Sequence, residues 1–310
     1  INEVYMMHMD ELETFVILAQ EQNFTRTAAK RSLSQPTVSV HIKNLEQEFA
    51  TPLIKRTTKH VSLTPEGELF YNQALQIRAL YKNLHETFYE KKQQASGLIR
   101  IGASFTIGEY LLPKIVAALH IAHERLDFHI TIGNTDEIID AVRRLDVDIG
   151  LIEGKSESKD VRITPFQQDH LVIVRSPKSE PKVHSLEDLH NQVWIIREEG
   201  SGTRQSFDHL IEANQIQIAS TFVFSSTQGI KGSVQNGMGL ALLSEATIEE
   251  EVKHGTLEIV MDDTLYEKRA FSYVLTKGTK PGRNIQLLLD QLHAQEERSD
   301  SNEVLRPPQS

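Results

Sequence analysis

The sequence predicts an α/β protein made of two unlike parts: a compact helical module carrying a short hairpin, then a longer module of alternating strands and helices. Three observations predict it. Apolar residues recur at helical spacings of three and four before position 90, whereas short apolar runs separated by helical stretches follow position 97. Between the two patterns, Gln93-Gln94-Ala95-Ser96-Gly97 forms a polar hinge. The charge is divided as well. The chain carries −10 over 310 residues, yet from Arg26 to His60 seven basic residues (Arg26, Lys30, Arg31, Lys43, Lys55, Arg56, Lys59) meet two acids (Glu46, Glu48), so this segment holds +5 and the rest −15.

In the first part, Asn23 to Ala29 and Ser34 to Glu46 read as two short helices meeting at a tight turn. Ser34 is the N-cap of the second, because its hydroxyl accepts an otherwise orphaned backbone N–H. Pro36 in the first turn gives up a donor that has no intrahelical partner there. Val38, Ile42, Leu45 and Phe49 follow at spacings of four, three and four, so one stripe is buried. Gln35, Thr37, Ser39 and His41 lie off that stripe, near the end that a recognition helix inserts into the major groove. Next, Leu53 to Arg56 and His60 to Leu63 flank Thr57-Thr58-Lys59 as a hairpin wing, with Lys55, Arg56 and Lys59 placed against phosphates. A local basic patch supplies salt-dependent affinity for DNA, while the acidic remainder discourages the rest of the chain from lying on it.

Thr64-Pro65-Glu66-Gly67-Glu68 then supplies an N-cap, a proline at the first helical position and first-turn acids. Phe70, Ala74, Ile77, Tyr81, Leu84 and Phe88 repeat at four-three-four-three-four, the period of a coiled-coil seam, over a helix of about 25 residues. A dimer helix is expected; an amphipathic helix packed on its own domain is the alternative. Beyond the hinge, strands are expected at Leu98 to Ala103, Phe128 to Ile132, Val147 to Ile152, Leu171 to Val174, Val193 to Ile196, Thr221 to Phe224, Leu240 to Leu243 and Phe271 to Leu275. Helices are expected at Leu111 to His123, Glu137 to Leu145, Thr203 to Ala213, Gln228 to Asn236 and Glu245 to Lys253. This alternation predicts mainly parallel sheets, with ligands at the carboxyl ends of strands. The charged, proline-ended tail from Gln295 is expected to be disordered, and no internal repeat is present.

Composition excludes several classes. Without cysteine there is no disulfide framework, no thiolate nucleophile and no thiolate metal ligand. No apolar run approaches the roughly 20 residues that span a bilayer, and Ile1 to Asp10 lacks a signal-peptide core, so a cytoplasmic location without membrane contact is expected. The opening Ile1 points to a leader, tag or miscalled start, with Met7 or Met9 as natural beginnings. An enzyme is the rival class, given 13 histidines and several strand-end hydroxyls. The spacings oppose it. Gly200-Ser201-Gly202 is not a G-x-S-x-G elbow, no G-x-x-x-x-G-K phosphate loop occurs, Gly237-Met238-Gly239 lacks a third dinucleotide-binding glycine, and His120 and His123 have no H-E-x-x-H around them. No catalytic residue, metal site or cofactor is expected. A solute-binding protein is the third class; it requires export and no basic reader.

Phe24-Thr25-Arg26-Thr27-Ala28-Ala29, Ser34-Gln35-Pro36-Thr37-Val38-Ser39, Ile42-Lys43-Asn44-Leu45-Glu46, Pro52-Leu53-Ile54-Lys55-Arg56 and Leu63-Thr64-Pro65-Glu66-Gly67 together resemble the DNA-binding end of LysR-type transcriptional regulators. The resemblance implies a winged helix-turn-helix at 9–66, a linker and dimerisation helix at 67–96, and a two-lobed effector-binding domain at 97–296 that resembles periplasmic binding proteins. Lobe I would cover about 97–167 plus 274–296 and lobe II about 168–273, with 297–310 a disordered tail. It also implies a homodimer or homotetramer on double-stranded promoter DNA, a small-molecule effector, and RNA polymerase as a partner of an activator. Between Ala29 and Ser34 the chain reads one residue short of the family pattern.

Within the effector module, Ser104, Phe105 and Thr106 resemble the family's first effector-binding segment, with plain helix capping as the alternative. Glu199 to Arg204 opens a helix after a strand, an arrangement that favours anions. Gly200 and Gly202 allow close backbone approach, Ser201 and Thr203 offer hydroxyls, and Arg204 either engages an acid or lies on the surface. Asn134 and Thr227 open two further helices, Asn134 equally as a cap, and Glu153 near the hinge crossing either lines the cleft or is a solvated acid. The wording Gly200 to Arg204 resembles LysR-type regulators of sulfur assimilation or carbon fixation, which implies an oxyanion or organic acid as effector. Closure of the two lobes on it would bias the placement of the reading heads.

Overall fold

The computed structural model describes residues 8–56, 61–90, 95–154, 156, 160–180, 182–260, 266–277 and 280–303. These fall into two compact units, one up to Tyr89 and one from Glu90.

The first unit is α1 (Met9–Glu21), α2 (Phe24–Arg31), α3 (Gln35–Glu48), the hairpin β1 (Ile54–Arg56) with β2 (Val61–Leu63), and α4 (Pro65–Glu90). Helix α1 is an element that the sequence reading passed over. Its Phe15 and Leu18 pack with Ile42, Leu45, Leu53 and Ile54 to make the core. Glu46 fastens α3 to the wing: its Oε1 accepts the backbone N–H groups of Leu53 at 2.9 Å and Ile54 at 3.1 Å. Gly67 is required by crowding, since a Cβ there would stand 2.0 Å from the Leu53 carbonyl oxygen.

Along α4 the expected seam divides. Phe70 packs edge-on against Phe15 at 4.9 Å and Ala74 is buried, whereas Ile77, Tyr81 and Leu84 are exposed. The side chain of Phe88 lies outside the described residues.

The second unit contains β3 (Gly97–Ser104), α5 (Leu112–Ala122), β4 (Leu126–Gly133), α6 (Thr135–Arg143), β5 (Ile149–Glu153), β6 (Val161–Arg175), β7 (Gln192–Arg197), α7 (Gly202–Ala213), β8 (Ile218–Phe224), α8 (Thr227–Gln235), β9 (Ala241–Ser244), α9 (Glu249–Lys253), β10 (Glu258–Val260), β11 (Tyr266–Thr276) and α10 (Arg283–Glu303). The expectation of mainly parallel sheets is corrected. Among the described residues β3–β4, β3–β5 and β7–β8 pair in parallel, whereas β6 pairs antiparallel with β9, β10 and β11, and β11 with β5. The reason is that β6 and β11 are long crossing strands of 15 and 11 residues, running in opposite directions through both lobes. The apolar signal revealed only part of each: polar Gln167, Gln168, Asp169 and His170 interrupt β6, and Glu267, Lys268 and Arg269 occupy the first half of β11.

Lobe I packs Ile99, Ile101, Ile115, Leu119 and Leu151 against Leu288, Leu289 and Leu292 of α10. Lobe II is built around Trp194, which packs on Phe207 at 5.2 Å. Helix α10 continues through Glu303, against the expected disorder from 297. Gln, Glu and Arg are good helix formers, and the anchored leucine stripe lets the helix propagate past its buried part. Residues 304–310 lie outside the described residues.

Glu46→Ala should lower the stability of the first unit by about 1–3 kcal/mol, because two wing amides lose their acceptor. Urea unfolding of the chain checks this, and an unchanged midpoint would contradict the fastening role.

Candidate functional site

The reading head is fixed by its caps. Asn23 Oδ1 accepts from the Arg26 backbone N–H at 3.0 Å to start α2, and Ser32 ends it in the left-handed region at φ 54°. Ser34 Oγ accepts the Thr37 N–H at 3.2 Å and lies 2.7 Å from the Thr37 hydroxyl, so these two side chains cap α3 together. Helix α2 runs over eight residues, and its inward pair is Thr27 and Ala28 while Ala29 is exposed.

Thr25, Arg26, Ser34, Gln35, Pro36 and Lys43 are exposed, Thr37 and Ser39 half-buried. His41 is turned elsewhere. It is half-buried against α1, its Nδ1 2.9 Å from Thr14 Oγ1, because position 41 falls on the side of α3 that faces α1. On the wing, Lys55 is exposed, the backbone of Arg56 lies in β1, and its side chain and Lys59 are outside the described residues. The basic patch is thinner than the count implies: Lys30 pairs with Glu21 at 2.5 Å and Arg31 with Asp10 at 3.1 Å.

In the second unit, Arg269 on β11 organises the floor between the lobes. Its Nε donates to Asp169 Oδ2 at 2.7 Å, Nη1 to Thr203 Oγ1 at 2.8 Å and Nη2 to Thr106 Oγ1 at 3.3 Å, and Nη2 also meets Glu153 Oε2. All five residues are buried. Thr106 follows β3 and Thr203 opens α7, so one guanidinium ties a strand end of lobe I to a helix start of lobe II. Glu153 is therefore an ion-pair member of the floor and not a solvated acid. One cation faces two carboxylates, and burial pushes the Asp169 carboxyl above its ordinary value, with Arg269 opposing the shift.

The same floor explains the glycines. A Cβ on Gly202 would stand 2.1 Å from the Glu153 carbonyl oxygen, so α7 can begin against the end of β5 only with glycine there. Gly200 is left-handed at φ 84°, and its carbonyl accepts the Asp136 N–H at 3.3 Å. Asn134 forms a capping box with Glu137 and donates to the Glu199 carbonyl at 3.4 Å, which makes it a cap and a lobe-to-lobe contact at once. Thr227 is buried at the start of α8, capped by Ser226.

Arg204 takes the surface alternative. Its Nε pairs with Asp208 at 2.9 and 3.0 Å, one helical turn on, and Nη1 donates to the Arg197 carbonyl at 3.2 Å. The sequence reading missed Arg197, whose buried guanidinium lies 4.4 Å from the Phe105 ring centroid and forks onto Glu198 at 2.8 Å. It also missed a contact across the mouth. Tyr110, in a π-helical turn (Ile107–Leu111), accepts from Gln228 Nε2 at 2.8 Å and Lys231 Nζ at 3.2 Å on α8. The nearby Glu109 carboxyl is raised by burial, with Arg197 and Lys231 opposing. Charged residues two positions before apolar runs, Asp169 before Leu171 to Val174 and Arg269 before Phe271 to Leu275, were the signal available for the floor.

Buried Ser104 Oγ and Ser201 Oγ have no hydrogen-bond partner among the described residues. Ser104 ends β3 in lobe I and Ser201 precedes α7 in lobe II. Among the described residues no group of side chains could hold a metal ion, and no helix is long and apolar enough to cross a membrane.

A capped helix-turn-helix with a basic wing, followed by a two-lobed unit with donors at strand and helix ends, defines a ligand-responsive DNA-binding regulator. Residues 9–68 match the bacterial regulatory helix-turn-helix protein, lysR family, and residues 92–297 match the LysR substrate binding domain. The chain is 39% identical over 290 residues to the transcriptional regulator CysL of Bacillus subtilis, covering 92% of this chain and 97% of that protein. It is 29% identical over 276 residues to a probable RuBisCO transcriptional regulator of Phaeodactylum tricornutum, covering 86% and 90%. In three dimensions it is similar to full-length OxyR from Pseudomonas aeruginosa, at 25% identity and a TM-score of 0.74, covering 93% and 95%. The chain belongs to the LysR family of transcriptional regulators: it is a DNA-binding regulator with an effector-binding domain.

Arg269→Met should destabilise the second unit by about 3–5 kcal/mol, since two buried carboxylates lose their cation. A loss under 1 kcal/mol in urea unfolding would remove Arg269 from the centre of the floor. The raised Asp169 carboxyl also predicts a pH dependence. Above the ordinary value of 3.8 the folded chain retains a proton that the unfolded chain has released, so the stability Asp169 contributes falls as pH rises through that window. The stability of Asp169→Asn relative to the parent should therefore climb with pH, and a difference independent of pH contradicts the assignment.

Proposed function

We propose that α3 and the wing read promoter DNA through Thr25, Arg26, Gln35, Pro36, Ser39, Lys43, Lys55, Arg56 and Lys59, and that a small oxyanion or organic acid held between the lobes controls the outcome. Ser34 and Thr37 serve the interface by fixing the start of α3, and His41 by bracing it on α1. The exposed Ile77, Tyr81 and Leu84 on α4 support self-association through that helix as a homodimer, or a homotetramer built from dimers. RNA polymerase is the further partner if the protein activates, and the cytoplasm is the compartment where both partners occur.

The observation that carries the effector reading is the pair of buried, unpartnered hydroxyls, Ser104 and Ser201, one from each lobe. Thr106 and Thr203 add to them. Each accepts from Arg269, which leaves its own proton to donate. Four hydroxyls and the start of α7 thus offer hydrogen bonds to an anion, while the floor itself, with one cation and two carboxylates, is not positive. Recognition by neutral donors favours a compact anion with several acceptor oxygens. Phe105, Asn134, Glu153, Gly200 and Thr227 shape the surroundings. Arg204, paired with Asp208, supports the site only through the Arg197 backbone.

Gln35→Ala should weaken discrimination between promoter and random duplexes, whereas Lys55→Ala should weaken both and reduce the salt slope by about 1. Equal losses for both variants on both duplexes, measured by fluorescence anisotropy, would count against the assignment. Ser104→Ala and Ser201→Ala should each abolish the thermal shift given by the responsive anion in a screen of sulfate, phosphate and small carboxylates, while promoter affinity stays intact. An undiminished shift in both would move the pocket elsewhere.

A further inference from the structure

Helix α3 carries an apolar residue where its function calls for polar ones. Val38, Ile42 and Leu45 are fully buried and fix the inward direction. At about 100° per residue, Val40 stands roughly 160° around the helix from Ile42, close to the outward pole. It is 53% exposed. Its outward neighbours are Pro36 one turn before it, Lys43 and Asn44 one turn after it and Gln47 beyond, all exposed. A β-branched side chain there loses rotamer freedom against the preceding turn and is left half in solvent by its own unit.

The chemistry of the groove supplies the missing partner. Hydrogen-bonding edges fill the major groove except at one group, the C5-methyl of thymine, and an apolar side chain is what complements it. Lys43 on the same face is exposed and carries the charge suited to the phosphates that flank such a contact, and Gln35 at the helix start offers the bidentate amide suited to adenine.

We propose that Val40 is a specificity-determining residue of this regulator: its isopropyl group packs on the C5-methyl of one thymine in each half-site. This rests on the reading of α3 as the recognition helix. Removing one buried methyl corresponds to a loss of about fourfold in affinity.

The test is a double-mutant cycle between protein and base. The preferred duplex is selected from a random pool with the full-length chain, each of its thymines is replaced in turn by deoxyuridine, and binding of the parent and of Val40→Ala is measured by anisotropy. The expected result is one thymine per half-site whose replacement weakens the parent about fourfold but leaves Val40→Ala almost unaffected, with both proteins losing equally elsewhere. Val40→Thr, which keeps one methyl group on the same branched skeleton, should retain an intermediate dependence at the same base and controls for altered helix stability. The proposal is overturned if no deoxyuridine affects the parent, or if Val40→Ala loses as much as the parent at every position. Failure to select any preferred duplex would instead overturn recognition by α3 itself.

Discussion

The buried guanidinium of Arg269 is the interaction on which the effector unit depends. Four side chains from four separate segments converge on it from around β11: Thr106 after β3, Glu153 at the end of β5, Asp169 on β6 and Thr203 at the start of α7. No apolar contact could fix all of them in direction, because dispersion and burial are not directional whereas a forked set of N–H donors is. The two crossing strands bring Arg269 and Asp169 into register at the place where one lobe gives way to the other. The strand ends that a ligand would approach are therefore positioned by one charge cluster.

That cluster also gives a physical route for control. Contacts between the lobes occur at the floor through Arg269, beside it through Asn134 and Asp136 with Glu199 and Gly200, and at the mouth through Tyr110 with Gln228 and Lys231. A ligand that adds hydrogen bonds to hydroxyls of both lobes stabilises only arrangements in which the lobes are together. A differential affinity of about 1–3 kcal/mol is the usual size of such coupling. The mouth contact includes a π-helical turn, a feature frequent at functional sites, and the polar bonds there can exchange partners without disturbing the leucine-rich core of lobe I.

Much of the first unit was legible in the residues because its signals are local. Ser34, Pro36 and the 38-42-45 stripe placed α3, and Thr64-Pro65 placed the start of α4. Helix α1 has no comparable cap, although its Phe15 and Leu18 supply two of the six buried residues of the core. In the second unit, apolar runs located the middles of strands but not the polar halves of β6 and β11, and those halves hold the Asp169–Arg269 pair. Asp169 and Arg269 are 100 residues apart, and no periodicity links them. The pairing of Arg204 with Asp208 was readable from the i, i+4 spacing alone, whereas the burial of Arg197 needed the tertiary structure. Ser104, Ser201, Thr106 and Thr203 stand where their places at strand and helix ends put them, and all four are buried. The bonds that Thr106 and Thr203 share with one arginine were not legible there.

Backbone hydrogen exchange on the full chain during titration with the anion identified by screening tests the central claim most directly. If both lobes close on a ligand held by hydroxyls at the Arg269 floor, amides of 104–107 and of 201–205 gain protection together, at the same ligand concentration. Protection confined to one of these segments, or appearing only at a distant surface, would contradict a shared site between the lobes.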